Sequence, residues 1–139
     1  MRRLVMIAWL LTALSLVACS APADTSGPQT ITLEASLMKF QPATLEVTAG
    51  RPVILTFINK DTVDHDFTVA EIPVTGVLVG EVIEHAMAHG HSDPDLHVVA
   101  LAGKSNTLEF TPTQPGTYEF TCTVAGHKEA GMVGTLVVK

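Results

Sequence analysis

Residues 118–132 read YEFTCTVAGHKEAGM, and this stretch decides both the fold and the chemistry. It places a cysteine, a histidine and a methionine at Cys122, His127 and Met132, with four residues between successive members. The pattern from Tyr118 to Cys122 is that of a strand whose alternate residues share one face, so the thiol is predicted to point inward. A glycine precedes both His127 and Met132 and permits tight turns. The loop can therefore carry both side chains back towards the sulfur.

Short apolar runs separated by turn residues continue outward from this stretch. Predicted strands include residues 53–58, 65–69, 96–101 and 133–138. After the first eighteen residues, no window of ten or more has a clean helical repeat. Many short strands with regular turn signals are typical of an antiparallel sandwich or barrel. We therefore predict one all-β domain over residues 29–139.

The N-terminal stretch has the layout of a bacterial export signal. Two arginines precede a long apolar run, and the tetrad Leu-Val-Ala-Cys ending at Cys19 resembles a lipobox. This resemblance implies cleavage before Cys19 and attachment of lipid to its sulfur and new amino group. An ordinary signal peptide with a chance cysteine is the alternative. We predict a lipoprotein signal peptide at 1–18, a flexible linker with lipidated Cys19 at 19–28, and an extracytoplasmic, lipid-anchored position on a bacterial membrane.

Charge and cysteine content narrow the expected partners. Arg2 and Arg3 are two of the 8 basic residues, so residues 19–139 keep six against 14 acidic ones, a net charge of −8. Nucleic acids and anionic lipid headgroups both need a basic patch, so neither is expected to bind. If lipid is attached to Cys19, then Cys122 is the remaining thiol in an oxidising compartment, and we expect another group to be bound to it.

His65, at the start of a predicted strand, completes a set of four metal donors with Cys122, His127 and Met132. One thiolate, two imidazoles and one thioether are the donors of a blue-copper site, in which the methionine binds weakly along the axis. Each residue alone is typical of an ordinary core or surface position, whereas the combination at this spacing favours copper. Zinc also binds cysteine and histidine, but a thioether is a poor zinc ligand.

The chain resembles the cupredoxins, the plastocyanin and azurin family of mononuclear blue-copper proteins. The loop spacing is similar to that of auracyanin and rusticyanin. The resemblance rests on four motifs: Phe40-Gln41-Pro42, Val47-Thr48-Ala49-Gly50, Asn59 to His65, and Pro115-Gly116-Thr117-Tyr118 leading into the Cys-His-Met loop.

The resemblance implies a cupredoxin-like Greek-key β-sandwich or barrel of about seven to eight strands. It also implies that His65, Cys122 and His127 are equatorial copper ligands and that Met132 is the axial ligand. The chain departs from the family pattern at Asp66, where many relatives have an asparagine that braces the cysteine loop. This difference changes the surroundings of the metal and leaves the reduction potential open.

Residues 84–97 contain four of the six histidines. A solvated insertion between strands is one interpretation of this segment. A weak second copper or zinc site is the other, with candidate ligands His85, Met87, His89 and His91. His97 stands at a predicted strand start and is typical of a structural residue.

The resemblance implies a protein that shuttles single electrons between transient redox partner proteins, and the lipobox-like signal implies that it does so while anchored to a membrane. His127 is then the exit for the electron, and Val124, Ala125, Ala130 and Met132 predict an apolar docking patch around it. The alternative function is extracytoplasmic copper storage, scavenging or delivery, with the histidine segment as a collecting arm.

Autonomous catalysis is not expected. Multicopper oxidases and copper nitrite reductases need further copper centres built from several His-x-His pairs, and this chain has one such pair, at residues 89–91. An inward thiol held by a metal cannot attack a substrate. We therefore expect a protein that is not an enzyme and has no small-molecule substrate.

Overall fold

The structure is a computed structural model that describes residues 27–83 and 93–139. Within these residues the chain forms ten strands: β1 (Gln29–Ser36), β2 (Lys39–Gln41), β3 (Thr44–Val47), β4 (Val53–Asn59), β5 (His65–Val69), β6 (Val74–Val79), β7 (Leu96–Ala100), β8 (Ser105–Pro112), β9 (Gly116–Thr121) and β10 (Val133–Val138). Neither described segment contains a helix long and apolar enough to cross a membrane. The prediction of an all-β domain is confirmed.

The strands form two five-stranded sheets, with the orders β2-β1-β4-β8-β6 and β3-β10-β9-β5-β7. Most neighbouring strands are antiparallel, while β1 pairs with β4 and β3 pairs with β10 in parallel. Apolar side chains from both sheets form one buried cluster between them. The molecule is therefore a β-sandwich, as the resemblance implied.

The core explains how the cysteine reaches the interior. Phe120 on β9 has no exposed surface, and its ring centroid lies 5.1 Å from that of Phe40 and 5.0 Å from that of Phe67. Cys122 follows two residues later and therefore continues the same inward face. It is also fully buried, as the strand pattern predicted.

Two edge strands of the first sheet add to the expected strand count. β2 has only three residues, and β6 is mostly exposed along its length. The pairing of β6 with β8 shifts register between Thr75 and Leu78, beside Gly76, which has a φ of 64°. A short or mostly exposed edge strand does not need the alternation of apolar and polar residues by which the other strands were predicted.

Candidate metal centre

Three strand ends meet at one end of the second sheet. β5 begins with His65, β9 ends just before Cys122, and β10 begins just after Met132. Because Thr121 on β9 lies opposite Val133 on β10, Cys122 and Met132 form the base of the connecting loop. The N–H of Cys122 donates to the carbonyl of Met132 at 3.2 Å and closes that base. The ligands predicted from the sequence therefore start from fixed backbone positions.

The loop between β9 and β10 is a series of tight turns that returns His127 to the sulfur. The N–H of His127 donates to the carbonyl of Val124, and the N–H of Met132 donates to the carbonyl of His127, both at 3.0 Å. Gly126 and Gly131 have φ values of 84° and 93°, which favour glycine. The prediction that these glycines serve the turns is confirmed.

The side chains of His65, Cys122 and His127 form a compact triangle. The two histidine Nδ1 atoms lie 3.1 Å apart, and the cysteine Sγ lies 3.7 Å from the Nδ1 of His65 and 3.3 Å from the Nδ1 of His127. With metal bonds of about 2.0 Å to nitrogen and about 2.3 Å to sulfur, three evenly spread ligands stand about 3.5–3.7 Å apart. The triangle is close to this size, so the three residues can hold a metal ion.

Met132, the fourth predicted ligand, is fully buried at the end of the same loop. Its burial contradicts the prediction that it contributes to an apolar docking patch, because a side chain without exposed surface cannot contact a partner. Val124, which is 36% exposed, and the exposed Ala125 and Ala130 remain available around His127.

Burial controls the protonation of the two ligands on the loop. It raises the pKa of the Cys122 thiol to about 11, although backbone N–H groups of Asp66 and Val124 act in the opposite direction. Burial, followed by the proximity of His65, lowers the pKa of His127. At pH 7 the free site therefore holds a neutral thiol and a neutral His127 ring, and a bound metal must displace the thiol proton.

Asp66 links β5 to the cysteine loop. Its Oδ1 accepts the N–H of Thr123 at 2.7 Å, and its Oδ2 accepts the Thr123 hydroxyl at 2.5 Å. Burial acts to raise the pKa of Asp66, but the nearby His97 and the hydrogen bonds from Thr123 outweigh it and hold the pKa below its ordinary value. The aspartate thus braces the loop, as the asparagine of the family pattern does, but it adds a negative charge.

Asp61 is a residue that the sequence analysis missed. Its Oδ2 lies 3.0 Å from the Nε2 of His65, the ring nitrogen that faces away from the triangle. The carboxylate also accepts the N–H groups of Leu37 and Met38. The bond from Met38 is the main cause of a pKa below the ordinary aspartate value. Asp61 lies four residues before His65, and this short spacing is the sequence signal that could have predicted the contact.

The remaining predicted residues fall into two groups. His97 lies on β7 with its Nε2 3.8 Å from Asp66 Oδ2, which agrees with a structural role. The others lie outside the described residues, so lipid attachment and the second metal site stay predictions: Cys19, His85, Met87, His89 and His91.

The chain is similar to known copper proteins in sequence. It is 38% identical over 104 residues to the copper-resistant cuproprotein CopI of Rubrivivax gelatinosus, covering 73% of this chain and 61% of that protein. It is 37% identical over 100 residues to the rusticyanin of Acidithiobacillus ferrooxidans, covering 69% of this chain and 50% of that protein. The chain therefore spans about half to three fifths of the length of these two relatives.

The fold comparison agrees with the sequence comparison. Auracyanin A, a "blue" copper protein of Chloroflexus aurantiacus, superposes with a TM-score of 0.62 at 26% identity, covering 81% of this chain and 100% of that one. Auracyanin B gives a TM-score of 0.60 at 28% identity, covering 80% of this chain and 88% of that one. A model of the cupredoxin-like domain matches residues 4–138. The resemblance drawn from the loop spacing is thereby confirmed, and the chain belongs to the cupredoxin-like family.

Proposed function

We propose that this chain carries single electrons through one type 1 copper site held by His65, Cys122, His127 and Met132. The observation that carries this proposal is the buried triangle of two imidazole nitrogens and one sulfur, with sides of 3.1–3.7 Å. Copper, when bound, supplies a one-electron redox couple. A thiolate with two imidazoles and a weak thioether is the donor set of electron-transfer copper sites.

The fold supports electron transfer because it holds the ligands still and keeps water out. His65 and Cys122 have no exposed surface, and both are fixed at ends of strands in one sheet. His127 keeps 9% of its surface exposed to solvent. It is therefore the ligand through which an electron passes to a partner at the surface.

A small docking surface surrounds His127. It consists of three exposed, uncharged side chains: Val124, Ala125 and Ala130. Beside them, Lys128 pairs with Glu119 at 2.9 Å, so a charged pair borders the apolar area. A short-lived contact of limited area suits an electron carrier, which must release one redox partner before it meets the next.

Visible spectroscopy of the copper-loaded full chain tests the proposal. We expect an intense thiolate-to-copper charge-transfer band that is lost in Cys122→Ser. The matched control is Cys19→Ser, which removes the other cysteine of the chain and should leave the band unchanged. A colourless Cu(II) protein, or a band that persists in Cys122→Ser, would refute the site.

The membrane anchor is part of the proposal. The lipobox-like sequence before Cys19 supports export, cleavage and lipid attachment, and the Pro- and Gly-containing composition of the residues after it supports a linker. Mass spectrometry of the mature chain from bacterial membranes should show an N-terminal Cys19 carrying acyl groups. Recovery of a mature chain with an unmodified Cys19 would refute lipid anchoring while leaving the copper site untouched.

Copper handling is a second candidate function because two relatives are described as copper-resistant cuproproteins. They are the CopI proteins of Rubrivivax gelatinosus and Pseudomonas aeruginosa, at 38% and 31% identity. Exchange with a strong Cu(I) chelator distinguishes the two functions. Retention of Cu(I) together with fast reversible reduction supports the electron carrier, whereas rapid loss of Cu(I) supports storage or delivery.

A further inference from the structure

Asp61 joins a turn at the protein surface to the buried ring of His65. We infer that Asp61 is a positioning residue: its carboxylate fixes the tautomer and orientation of His65 and thereby favours Cu(II) over Cu(I). This inference rests on the proposed copper site. It is carried by three contacts of one carboxylate: Oδ1 with the N–H of Leu37 at 2.8 Å, and Oδ2 with the N–H of Met38 and with the Nε2 of His65, both at 3.0 Å.

The contact with the backbone settles which ring nitrogen carries the proton. Because the Asp61 carboxylate accepts two backbone N–H groups, it is an acceptor, and the Nε2 of His65 must donate to it. A neutral imidazole with its proton on Nε2 has its lone pair on Nδ1. Nδ1 is the atom that faces Cys122 and His127. Asp61 thus presents the correct nitrogen to the metal before the metal arrives.

The turn whose N–H groups bind the Asp61 carboxylate is made of residues that do not favour its backbone conformation. Leu37 and Met38 are the two central residues between β1 and β2, and their φ values are 53° and 58°. Two-residue hairpin turns with both φ values positive favour Asn-Gly, because a Cβ is disfavoured there. The hydrogen bonds of Asp61 stabilise this turn, so the turn and the histidine ring depend on one side chain.

The carboxylate is itself held firmly enough to orient a ring. The N–H of Asp61 donates to Asn59 Oδ1 at 2.9 Å, and its carbonyl accepts the N–H of Gly103 at 3.1 Å. The side-chain amide of Asn59 donates in turn to the carbonyls of Val63 and Ala100. Backbone on both sides of Asp61 is therefore tied to neighbouring elements.

A carboxylate on the remote nitrogen makes a histidine a stronger donor, and its loss typically weakens metal binding by about 10–100-fold. A stronger donor favours the more highly charged Cu(II). If Asp61→Asn weakens Cu(II) binding tenfold and leaves Cu(I) binding unchanged, the reduction potential rises by about 59 mV, the one-electron equivalent of a factor of ten.

The experiment compares Asp61→Asn with Asp64→Asn. Asp64 lies in the same loop and is exposed, and its Oδ1 accepts the N–H of Ala102 rather than contacting His65. The control therefore removes the same charge from the residue next to His65 while leaving the hydrogen bond to the His65 ring in place. We expect Asp61→Asn to raise the potential by the equivalent of at least a tenfold loss of Cu(II) affinity, and Asp64→Asn to change it far less. Equal shifts in the two variants would overturn the inference.

A second measurement needs no copper. Two-bond ¹H–¹⁵N correlation spectra of the metal-free full chain report which nitrogen of His65 is protonated. We expect the Nε2–H form in the wild type and in Asp64→Ala, and a gain of the Nδ1–H form in Asp61→Ala, which leaves no side-chain acceptor beside Nε2. An unchanged tautomer in Asp61→Ala would overturn the inference even if the charge-transfer band supports the copper site. Absence of that band with the expected tautomer change would instead refute the proposed function alone.

Loss of the turn can be separated from loss of the ring contact. Leu37→Asn combined with Met38→Gly supplies the residues that this turn favours, so the hairpin no longer needs Asp61. Added to Asp61→Asn, the pair should restore protection of the turn amides from exchange while the potential stays raised. Restoration of the wild-type potential would show that Asp61 acts only through the turn and would overturn its role at the ring.

Discussion

Truncation of Asp66 should destabilise the protein strongly, even without metal. Asp66 is only 4% exposed, and its carboxylate accepts both the N–H and the hydroxyl of Thr123. Asp66→Ala removes both acceptors at once. The link between β5 and the loop that carries Cys122 and His127 is then lost.

The size of the effect follows from these two bonds. A hydrogen bond to a charged group contributes about 1.5–3 kcal/mol to stability. Thr123 is exposed, so water can partly replace the lost acceptors, and the lower end of that range applies to each bond. Two bonds at the lower end give a loss of about 3 kcal/mol, a large part of the about 5–15 kcal/mol by which domains are usually stable.

Urea unfolding of the metal-free protein, followed by circular dichroism, measures this loss. Asp64→Ala is the matched control, since its exposed carboxylate accepts one backbone N–H at the surface, and it should cost less than about 1 kcal/mol. A double-mutant cycle of Asp66→Ala with Thr123→Val isolates the hydroxyl bond. A loss for Asp66→Ala no larger than that of the control would show that the brace contributes nothing to stability.

Three further outcomes are expected. Between pH 7 and 9, copper loading should release about one proton from Cys122, because burial raises the pKa of the free thiol to about 11 and the bound sulfur is a thiolate. Titration calorimetry in two buffers of different ionisation enthalpy measures this release, and a binding enthalpy that is the same in both buffers would contradict it. Met132→Leu nearly conserves volume and should cost less than about 1.5 kcal/mol, while voltammetry shows a raised potential because the axial thioether is gone; an unchanged potential would contradict its role as a ligand. Gly134→Ala places a Cβ against the ring of Phe120 and should lower the free energy of unfolding by about 1–3 kcal/mol, measured by thermal unfolding. The control Gly27→Ala adds a Cβ that meets nothing within 4 Å and should be neutral, so equal stability of the two variants would contradict the close contact between Gly134 and Phe120.

The sequence predicted those elements whose cause is local. β10 coincides with the predicted strand at residues 133–138, and His65 begins β5 at the predicted residue. β10 follows from alternation along a strand that is buried on one face, whereas β5 proves to be buried along its whole length. The inward direction of Cys122 follows from the same alternation, and the turns of its loop follow from Gly126 and Gly131.

The interactions that position the metal ligands were not predictable in this way. Asp61 meets Leu37 and Met38 across more than twenty residues of sequence, and Asp66 meets Thr123 across 57. Such contacts depend on how the sheets are paired rather than on any local pattern. Donor residues could therefore be named from the sequence, and the spacing of Asp61 from His65 and the family position of Asp66 were signals for the two carboxylates, whereas their bonds to the turn and to Thr123 required the structure.

The burial of the ligands favours the electron carrier over the copper store. A copper store must let a competing ligand reach the metal, but His65, Cys122 and Met132 have no exposed surface, and His127 has 9%. Exchange therefore requires the loop between β9 and β10 to open, and this breaks the bonds from Cys122 N–H to the carbonyl of Met132 and from Met132 N–H to the carbonyl of His127. An electron needs no such opening, because it can pass through the exposed edge of His127. Conditions that loosen this loop should accelerate copper loss without accelerating electron transfer, and equal acceleration of both would remove this reason for preferring the electron carrier.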